Sequence, residues 1–280
     1  MSATTRTLIV DDDPDVHQLL VAALNAPDRH IESAYDGLAG LRMIEESPYD
    51  VVLTDVNMPG LDGLALLERI RLIRPGARVV VMTVANTPDN IIRAIRERAF
   101  AYFSKPFSLN AVADMVEQAL VSLPATNEIE VLSASRNWLE IRFSCKVETA
   151  DRILQFLREM ETGLPAGERE NVVMAFREIL LNAIEHGAKA DPTKKVRITY
   201  IRGERALFYH VRDPGPGFSF EKLAHAAVSN PAASPFEHTE VRKQLGLRPG
   251  GFGILMTRNF VDEMLYNEAG NEVLLIKYLD

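Results

Sequence analysis

Five short runs that are candidate strands, most of them apolar, punctuate the first 122 residues, at 7–10, 30–33, 51–54, 78–82 and 100–103. Segments of helical periodicity follow them, near 14–25, 37–46, 63–72, 88–97 and 108–121. The runs have strand length, and the segments between them return an apolar residue every three or four positions. Five such units with short connections predict an α/β doubly wound domain around a five-stranded parallel sheet. Ligands bind such sheets at the carboxyl ends of the strands. Asp11, Asp12, Asp55, Thr83 and Lys105 all fall at or just past those ends, so one mouth can gather them.

That set suits phosphoryl chemistry, which depends on positioning and charge neutralisation more than on covalent help. Mg²⁺ takes oxygen ligands and keeps several waters. Asp12 and Asp55 can ligate it directly, Asp11 directly or through water, and the backbone carbonyl of Asn57 is placed for a further bond. Lys105 would pair with a phosphate oxygen, and Thr83 would donate a hydroxyl once Asp55 is modified. The Lys105-Pro106 bond is a candidate cis peptide, since X-Pro bonds lose most of the trans preference. Pro14 and Asp15 also suit a helix start, so the aspartate run at 11–13 has a capping reading beside the metal one.

Val10-Asp11-Asp12, Asp55 with Met58-Pro59-Gly60, Thr83, Tyr102 and Lys105-Pro106-Phe107 together resemble a bacterial response-regulator receiver domain over about residues 4–122. The resemblance implies that Asp55 is the phosphoacceptor and that Asp11, Asp12 and Asp55 surround Mg²⁺. It also implies that Thr83 and Tyr102 form the conformational switch. Two positions depart from the family pattern. Val84 is larger than the usual residue after the switch threonine, and Arg98 stands where a glycine often precedes the last strand.

Residues 123–135 read as a linker, which divides the chain into domains at 1–122 and 136–280. The second domain has another order: a strand at 138–145, helices near 149–162 and 168–186, and strands at 195–202 and 206–213. A Pro/Ser/His-rich stretch, 214–249, holds a short helical piece near 220–228. A helix from Gly251 and strands near 263–268 and 272–278 follow. Mixed order of this kind predicts an α+β sandwich of helices on one sheet. A loop this long in a compact domain is usually functional, often a lid.

On the helix at 168–186, Val172, Phe176, Ile179, Leu180 and Ala183 share one face, while Glu178, Asn182 and Glu185 cluster on the other. That polar stripe can present two acids and an amide to one ligand. Asp213-Pro214-Gly215-Pro216-Gly217 ends an apolar strand, where a carboxylate can accept the exocyclic amine of adenine and glycines let backbone approach the base and sugar. Gly250-Gly251-Phe252-Gly253 opens a helix, a place that favours phosphate oxygens.

These three segments, in this order, resemble the Bergerat-type ATPase fold of the histidine-kinase and gyrase superfamily over about residues 136–280. The resemblance implies Asn182 as the Mg²⁺ ligand at the triphosphate, Glu185 beside the nucleotide and Asp213 on adenine. Gly215 and Gly217 would lie near the nucleoside, and Gly251 and Gly253 at the phosphates. The segment 218–249 would be an ATP lid, with Arg242, Lys243 and Arg248 available to phosphates or a partner. Residues 107–185 contain no histidine, so a phosphoacceptor histidine on a dimerising hairpin is not expected.

The compact form, with Glu-His-Gly ending the helix, looks most like the anti-sigma-factor serine kinases. This implies ATP-dependent phosphorylation of a serine or threonine on an anti-anti-sigma (STAS-type) partner, with a sigma factor as a further partner. Glu178 would then be the general base, or would orient Asn182 or water. The alternative is a non-catalytic, ATP-binding module that sequesters its partner. An upstream histidine kinase or phosphotransfer protein would act on Asp55. A homodimer is compatible with both resemblances, and no residue selects it.

Charge and composition narrow the setting. Net charge is −8, with 17 acidic and 11 basic residues in 1–122 and 22 against 20 in the rest, so neither half carries the basic footprint that DNA contacts require. No apolar run approaches the roughly 18 residues of a spanning helix. The single cysteine, Cys145, cannot form an internal disulfide and reads as a small core residue. A soluble cytoplasmic protein is expected.

Overall fold

The computed structural model describes residues 4–121, 129–160, 163–217, 244 and 252–279. They fall into two compact units, one running to residue 128 and taking in residues 159–161, the other made of residues 129–158 and those from 162 on.

The first unit holds β1 (Thr5–Val10), α1 (Pro14–Leu24), β2 (Arg29–Ala34), α2 (Gly37–Glu46) and β3 (Val51–Asp55). It continues with α3 (Gly63–Ile73), β4 (Arg78–Thr83), α4 (Pro88–Arg96), β5 (Ala101–Ser104) and α5 (Leu109–Val121). The sheet order is β2-β1-β3-β4-β5, and every pairing is parallel. Strand β3 is buried along its whole length, as a central strand covered on both faces must be. Ile9, Leu53, Val80, Met82 and Phe103 meet Val112, Val116 and Ala119 in one core cluster.

The helices start where the sequence supplies caps. Asp13 accepts from the Asp15 amide with Pro14 behind it, Asp36 from Ala39 and Asp62 from Ala65, each cap being worth about 1 kcal/mol. Asp13 is therefore the capping member of the aspartate run, and Asp11 and Asp12 precede the helix. Arg98, at the position flagged for glycine, adopts φ 58°. The Arg71 guanidinium donates to the carbonyls of Glu97, Arg98 and Pro75, tying this turn to α3.

The second unit opens with β6 (Ile129–Ser135), β7 (Trp138–Ser144), α6 (Val147–Glu159) and α7 (Ala166–Asn182). A π-helical turn, Ala183–Gly187, extends α7, closed by the Ala188 amide on the Ala183 carbonyl at 2.9 Å. Then come β8 (Lys195–Arg202), β9 (Ala206–Arg212), α8 (Gly253–Phe260), β10 (Glu263–Tyr266) and β11 (Glu272–Tyr278). The sheet runs β10-β11-β9-β8-β7-β6 and is antiparallel throughout.

Its buried face is built in cross-strand rows. Leu139, Tyr200, Tyr209 and Leu275 are in register, as are Ile141, Ile198, Val211 and Val273, and all eight are buried. Helix α7 meets the first row through Phe176, whose ring lies 5.1 Å from that of Tyr209. Val172, Phe176, Ile179, Leu180 and Ala183 are all buried, the face their spacing predicts.

The expected linker 123–135 is corrected at its second half. Residues 129–135 form β6, paired antiparallel with β7 through a register shift between Val131 and Ser133. It is an edge strand whose side chains are at most half-buried, so it shows little of the apolar alternation that marks a strand in sequence. Cys145 is buried, as expected of a core residue, and burial pushes its thiol up to about 11.

Candidate functional site

In the first unit the strand ends bring together Asp11, Asp55, Asn57, Thr83 and Lys105. The Lys105 ammonium lies 2.7 Å from Asp11 Oδ2 and 2.9 Å from Asp55 Oδ1, and both carboxylates are almost wholly buried. Asp55 Oδ2 accepts from the Asn57 amide at 2.6 Å. Asp11 Oδ1 accepts from the Asp13 amide at 3.1 Å. Burial raises the Asp11 pKa, opposed by its hydrogen bonds to Lys105 and the Asp13 amide. Lys105 is raised by the two carboxylates, which outweigh its own desolvation. The Lys105–Pro106 bond is cis.

The Thr83 hydroxyl accepts from Asn57 Nδ2 at 3.3 Å and from the Ala85 amide at 2.9 Å. The Tyr102 ring is fully buried, its hydroxyl 3.4 Å from the Ala85 carbonyl, and burial raises its pKa.

The acid site fits Mg²⁺, although not with the expected trio of close carboxylates. Asp12 is exposed, and no three acidic, histidine or cysteine side chains converge on a metal position among the described residues. Two buried carboxylates share one ammonium, which lies 2.7 Å from Asp11 Oδ2 and 2.9 Å from Asp55 Oδ1. Two negative charges against one positive leave net negative charge and carboxylate lone pairs for a hard divalent cation, which would complete its shell with the Asn57 carbonyl and waters. Gly63, which sequence reasoning missed, brings α3 onto this site. A Cβ there would lie 1.9 Å from the Asp55 carbonyl oxygen.

In the second unit Asp213 follows β9, and its Oδ1 accepts from the Gly215 amide at 2.7 Å. Burial raises its pKa and that hydrogen bond lowers it. Gly187, closing the π-helical turn, backs directly onto this carboxylate, where a Cβ would stand 2.3 Å from Oδ1. On the other side lies the β10–β11 hairpin. Asn271 Nδ2 donates to the Gly215 carbonyl at 3.3 Å. Gly217, at φ 80°, sits where a Cβ would meet the Ala269 carbonyl at 1.7 Å. The Tyr266 hydroxyl is pushed up to about 12 by burial and by the Asp213 charge. Tyr266 and Asn271 stand near Asp213 and Gly215 with nothing local in the sequence to mark them, whereas Gly187 is already the last residue of Glu-His-Gly.

Further back along α7, Gly253 at the start of α8 packs on Glu178, where a Cβ would lie 2.5 Å from Oε2. The Thr257 hydroxyl anchors α8 by reaching the Ala175 carbonyl at 3.3 Å. Glu178 and Asn182 are half-buried one turn apart, and Glu185 is exposed in the π-helical turn. Glu178 and Gly187 are nine residues apart, about 13 Å along a helix axis. The α7 edge thus carries the half-buried Asp213 carboxylate at one end and the glycine start of α8 at the other. Gly251, Arg242, Lys243, Arg248 and the expected lid 218–249 lie outside the described residues, Gln244 excepted.

The response regulator receiver domain family matches residues 7–117, and the histidine kinase-like ATPase domain family matches residues 143–277. The DNA-binding transcriptional regulator NtrC of Azospirillum brasilense is 36% identical over 122 residues, 44% of this chain and 25% of that protein. The response regulator protein FleR of Pseudomonas aeruginosa is 32% identical over 162 residues, 56% of this chain and 34% of that protein. The chain therefore spans only a quarter to a third of the length of these curated relatives. A response regulator receiver domain protein from Clostridium thermocellum is a structural neighbour at 30% identity, with a TM-score of 0.39 over 41% of this chain and 94% of that one. Residues 7–117 are a response regulator receiver domain and residues 143–277 a histidine kinase-like ATPase domain, joined in one chain.

Proposed function

We propose that this chain is a response regulator whose output is an ATP-dependent protein serine/threonine kinase of the anti-sigma type, acting on a STAS-type anti-anti-sigma partner. The observation that carries the reading is what lies between the receiver and the nucleotide helix. The described residues there form β6, β7 and α6, with β6 and β7 part of the ATPase sheet, and residues 107–185 hold no histidine. A histidine autokinase would need a phosphoacceptor histidine on a helical hairpin in that place.

On the receiver, Asp55 Oδ1 attacks the phosphorus of a phosphohistidine or acyl phosphate, and the donor's P–N or P–O bond breaks. Lys105 pairs with a phosphoryl oxygen, and Asp11 with Asp55 and Asn57 would hold Mg²⁺, which neutralises phosphoryl charge when bound. Thr83 turns its hydroxyl to the new phosphoryl group, and the segment 83–107 responds. On the ATPase domain, Asp213 takes the adenine amine and Asn182 serves the triphosphate. Glu178 accepts the proton of the partner's hydroxyl as that oxygen bonds to the γ-phosphorus and ADP leaves. A sigma factor, a homodimer and a cytoplasmic setting belong to this reading. Among the described residues no helix is long and apolar enough to cross a membrane.

The test is radiolabelled ATP with a STAS-type partner, with and without beryllofluoride on Asp55. Labelled partner with the parent and unlabelled partner with Glu178→Ala support the kinase. Retained labelling with Glu178→Ala removes the base assignment. Nucleotide binding without labelling by the parent leaves the sequestering, non-catalytic module as the function.

A further inference from the structure

His17 lies on α1, 4% exposed, and takes no part in the chemistry described so far. Its Nε2 is 2.8 Å from the Asp11 carbonyl oxygen, and its Nδ1 is 2.9 Å from Ser33 Oγ. The ring also packs on Tyr35, with centroids 4.5 Å apart. A carbonyl oxygen can only accept, so Nε2 carries a proton and donates to Asp11. In the neutral ring Nδ1 is then an acceptor, and the Ser33 hydroxyl donates to it. The result is a directed chain from Ser33 at the end of β2, through His17, to the peptide that joins Asp11 to Asp12.

Asp11 is also held by its amide, which donates to the Ala34 carbonyl at 3.1 Å, and by its side chain, which accepts from the Asp13 amide at 3.1 Å and from Lys105 at 2.7 Å. None of these bonds reaches the carbonyl of the Asp11–Asp12 peptide. Without the His17 bond that carbonyl would lose its side-chain donor, and the peptide plane that aims the Asp11 and Asp12 carboxylates would lose a restraint. A histidine here is costly to bury, and an aliphatic side chain would pack the same core. The polar contact on the acidic loop is what the imidazole adds.

We propose that His17, with its ring held by Ser33, is a positioning residue that holds the Asp11–Asp12 loop in the geometry needed to bind Mg²⁺ beside Asp55. The proposal rests on the receiver reading of Asp11 and Asp55. Outer hydrogen bonds that orient carboxylate and histidine ligands typically govern about 10- to 100-fold in metal affinity.

The test uses the full chain and MgCl₂ titrated by calorimetry, with ¹⁹F NMR of the beryllofluoride adduct as a second readout and thermal unfolding in parallel. The variants are His17→Leu, His17→Gln, whose amide nitrogen can replace Nε2 as donor, and Ser33→Ala, which removes the hydroxyl that holds the ring at Nδ1 and little else. His17→Leu should weaken Mg²⁺ binding by about tenfold or more. Ser33→Ala should weaken it by a few-fold, and His17→Gln should return it toward the parent value. Parent-like Mg²⁺ affinity in a folded His17→Leu overturns the proposal. If that variant does not fold, parent-like affinity in Ser33→Ala overturns it. A merely structural role would lower the melting temperature in step with side-chain volume and leave Mg²⁺ affinity unchanged. A parent that binds no Mg²⁺ and forms no adduct sinks the acid-site reading itself, and the proposal with it.

Discussion

Gly187→Ala is a one-methyl perturbation aimed at the proposed nucleotide site, and it replaces none of the site's polar groups. The added Cβ would stand 2.3 Å from Asp213 Oδ1 and 2.4 Å from its Cγ. Relaxed contacts between such atoms lie near 3.5 Å, so the carboxylate must retreat by about 1 Å. Asp213 cannot retreat freely, because Oδ1 also holds the Gly215 amide at 2.7 Å. The folded state should lose about 1–3 kcal/mol to overpacking. The larger effect falls on nucleotide binding. A hydrogen bond to an ionised group is worth about 1.5–3 kcal/mol, and moving its acceptor by that distance forfeits most of it. The expected loss is about 10- to 150-fold in Kd for Mg-ATP or ADP, measured by calorimetry. Gly167→Ala is the matched control. A Cβ there meets nothing within 4 Å in the first turn of α7, and the substitution should stabilise by about 0.5–1 kcal/mol with unchanged Kd. Parent-like nucleotide affinity in a folded Gly187→Ala would refute Asp213 as the base-recognising acid.

Asp213→Asn keeps the shape and the Gly215 hydrogen bond but removes the charge. Because burial holds the native pKa above the unfolded value, the parent's gain from this group is complete below the ordinary aspartate range and is lost as pH rises through the raised pKa. The variant should therefore be the more stable protein at pH 8, lose that lead in acid and bind nucleotide poorly. Urea titrations across pH check the sign, and a parent more stable than the variant at pH 8 contradicts it. Lys105→Met leaves the Asp11 and Asp55 carboxylates facing each other unpaired and should cost about 3–5 kcal/mol, part of it recovered in millimolar MgCl₂. A loss below about 1 kcal/mol in urea unfolding would deny that Lys105 offsets their charge. The Thr7 hydroxyl is fully buried without a hydrogen-bond partner among the described residues, so Thr7→Val should stabilise by about 1 kcal/mol, read as a higher urea midpoint at constant slope.

Most of the element order was legible, because strand and helix periods are local properties. The five units of the receiver are visible in runs such as Val51-Val52-Leu53, and Pro14 with Asp15 suits a helix start that the structure places at Pro14. The apolar stripe of α7 is read from its spacing alone. Strand β6 was missed for a physical reason: Ile-Glu-Val-Leu-Ser-Ala-Ser buries too little at a sheet edge to show a strand pattern. The π-helical turn at Ala183–Gly187 has no local signature, yet it ends at the glycine that backs Asp213 and leaves Glu185 exposed. His17 reads as a polar residue on a helix, and only its neighbours make it a buried donor to the acidic loop.

The sequence by itself determined which chemical groups stand at strand ends and helix starts, since a chain's own period and its cap residues decide that within a few positions. Tertiary structure decided which of those groups meet. Lys105 reaches Asp11 across 94 residues, and Gly187 meets Asp213 only once β9 lies against the end of α7. Such contacts depend on how the sheet closes and how closely two backbones approach. Neither is encoded in a window of neighbouring residues.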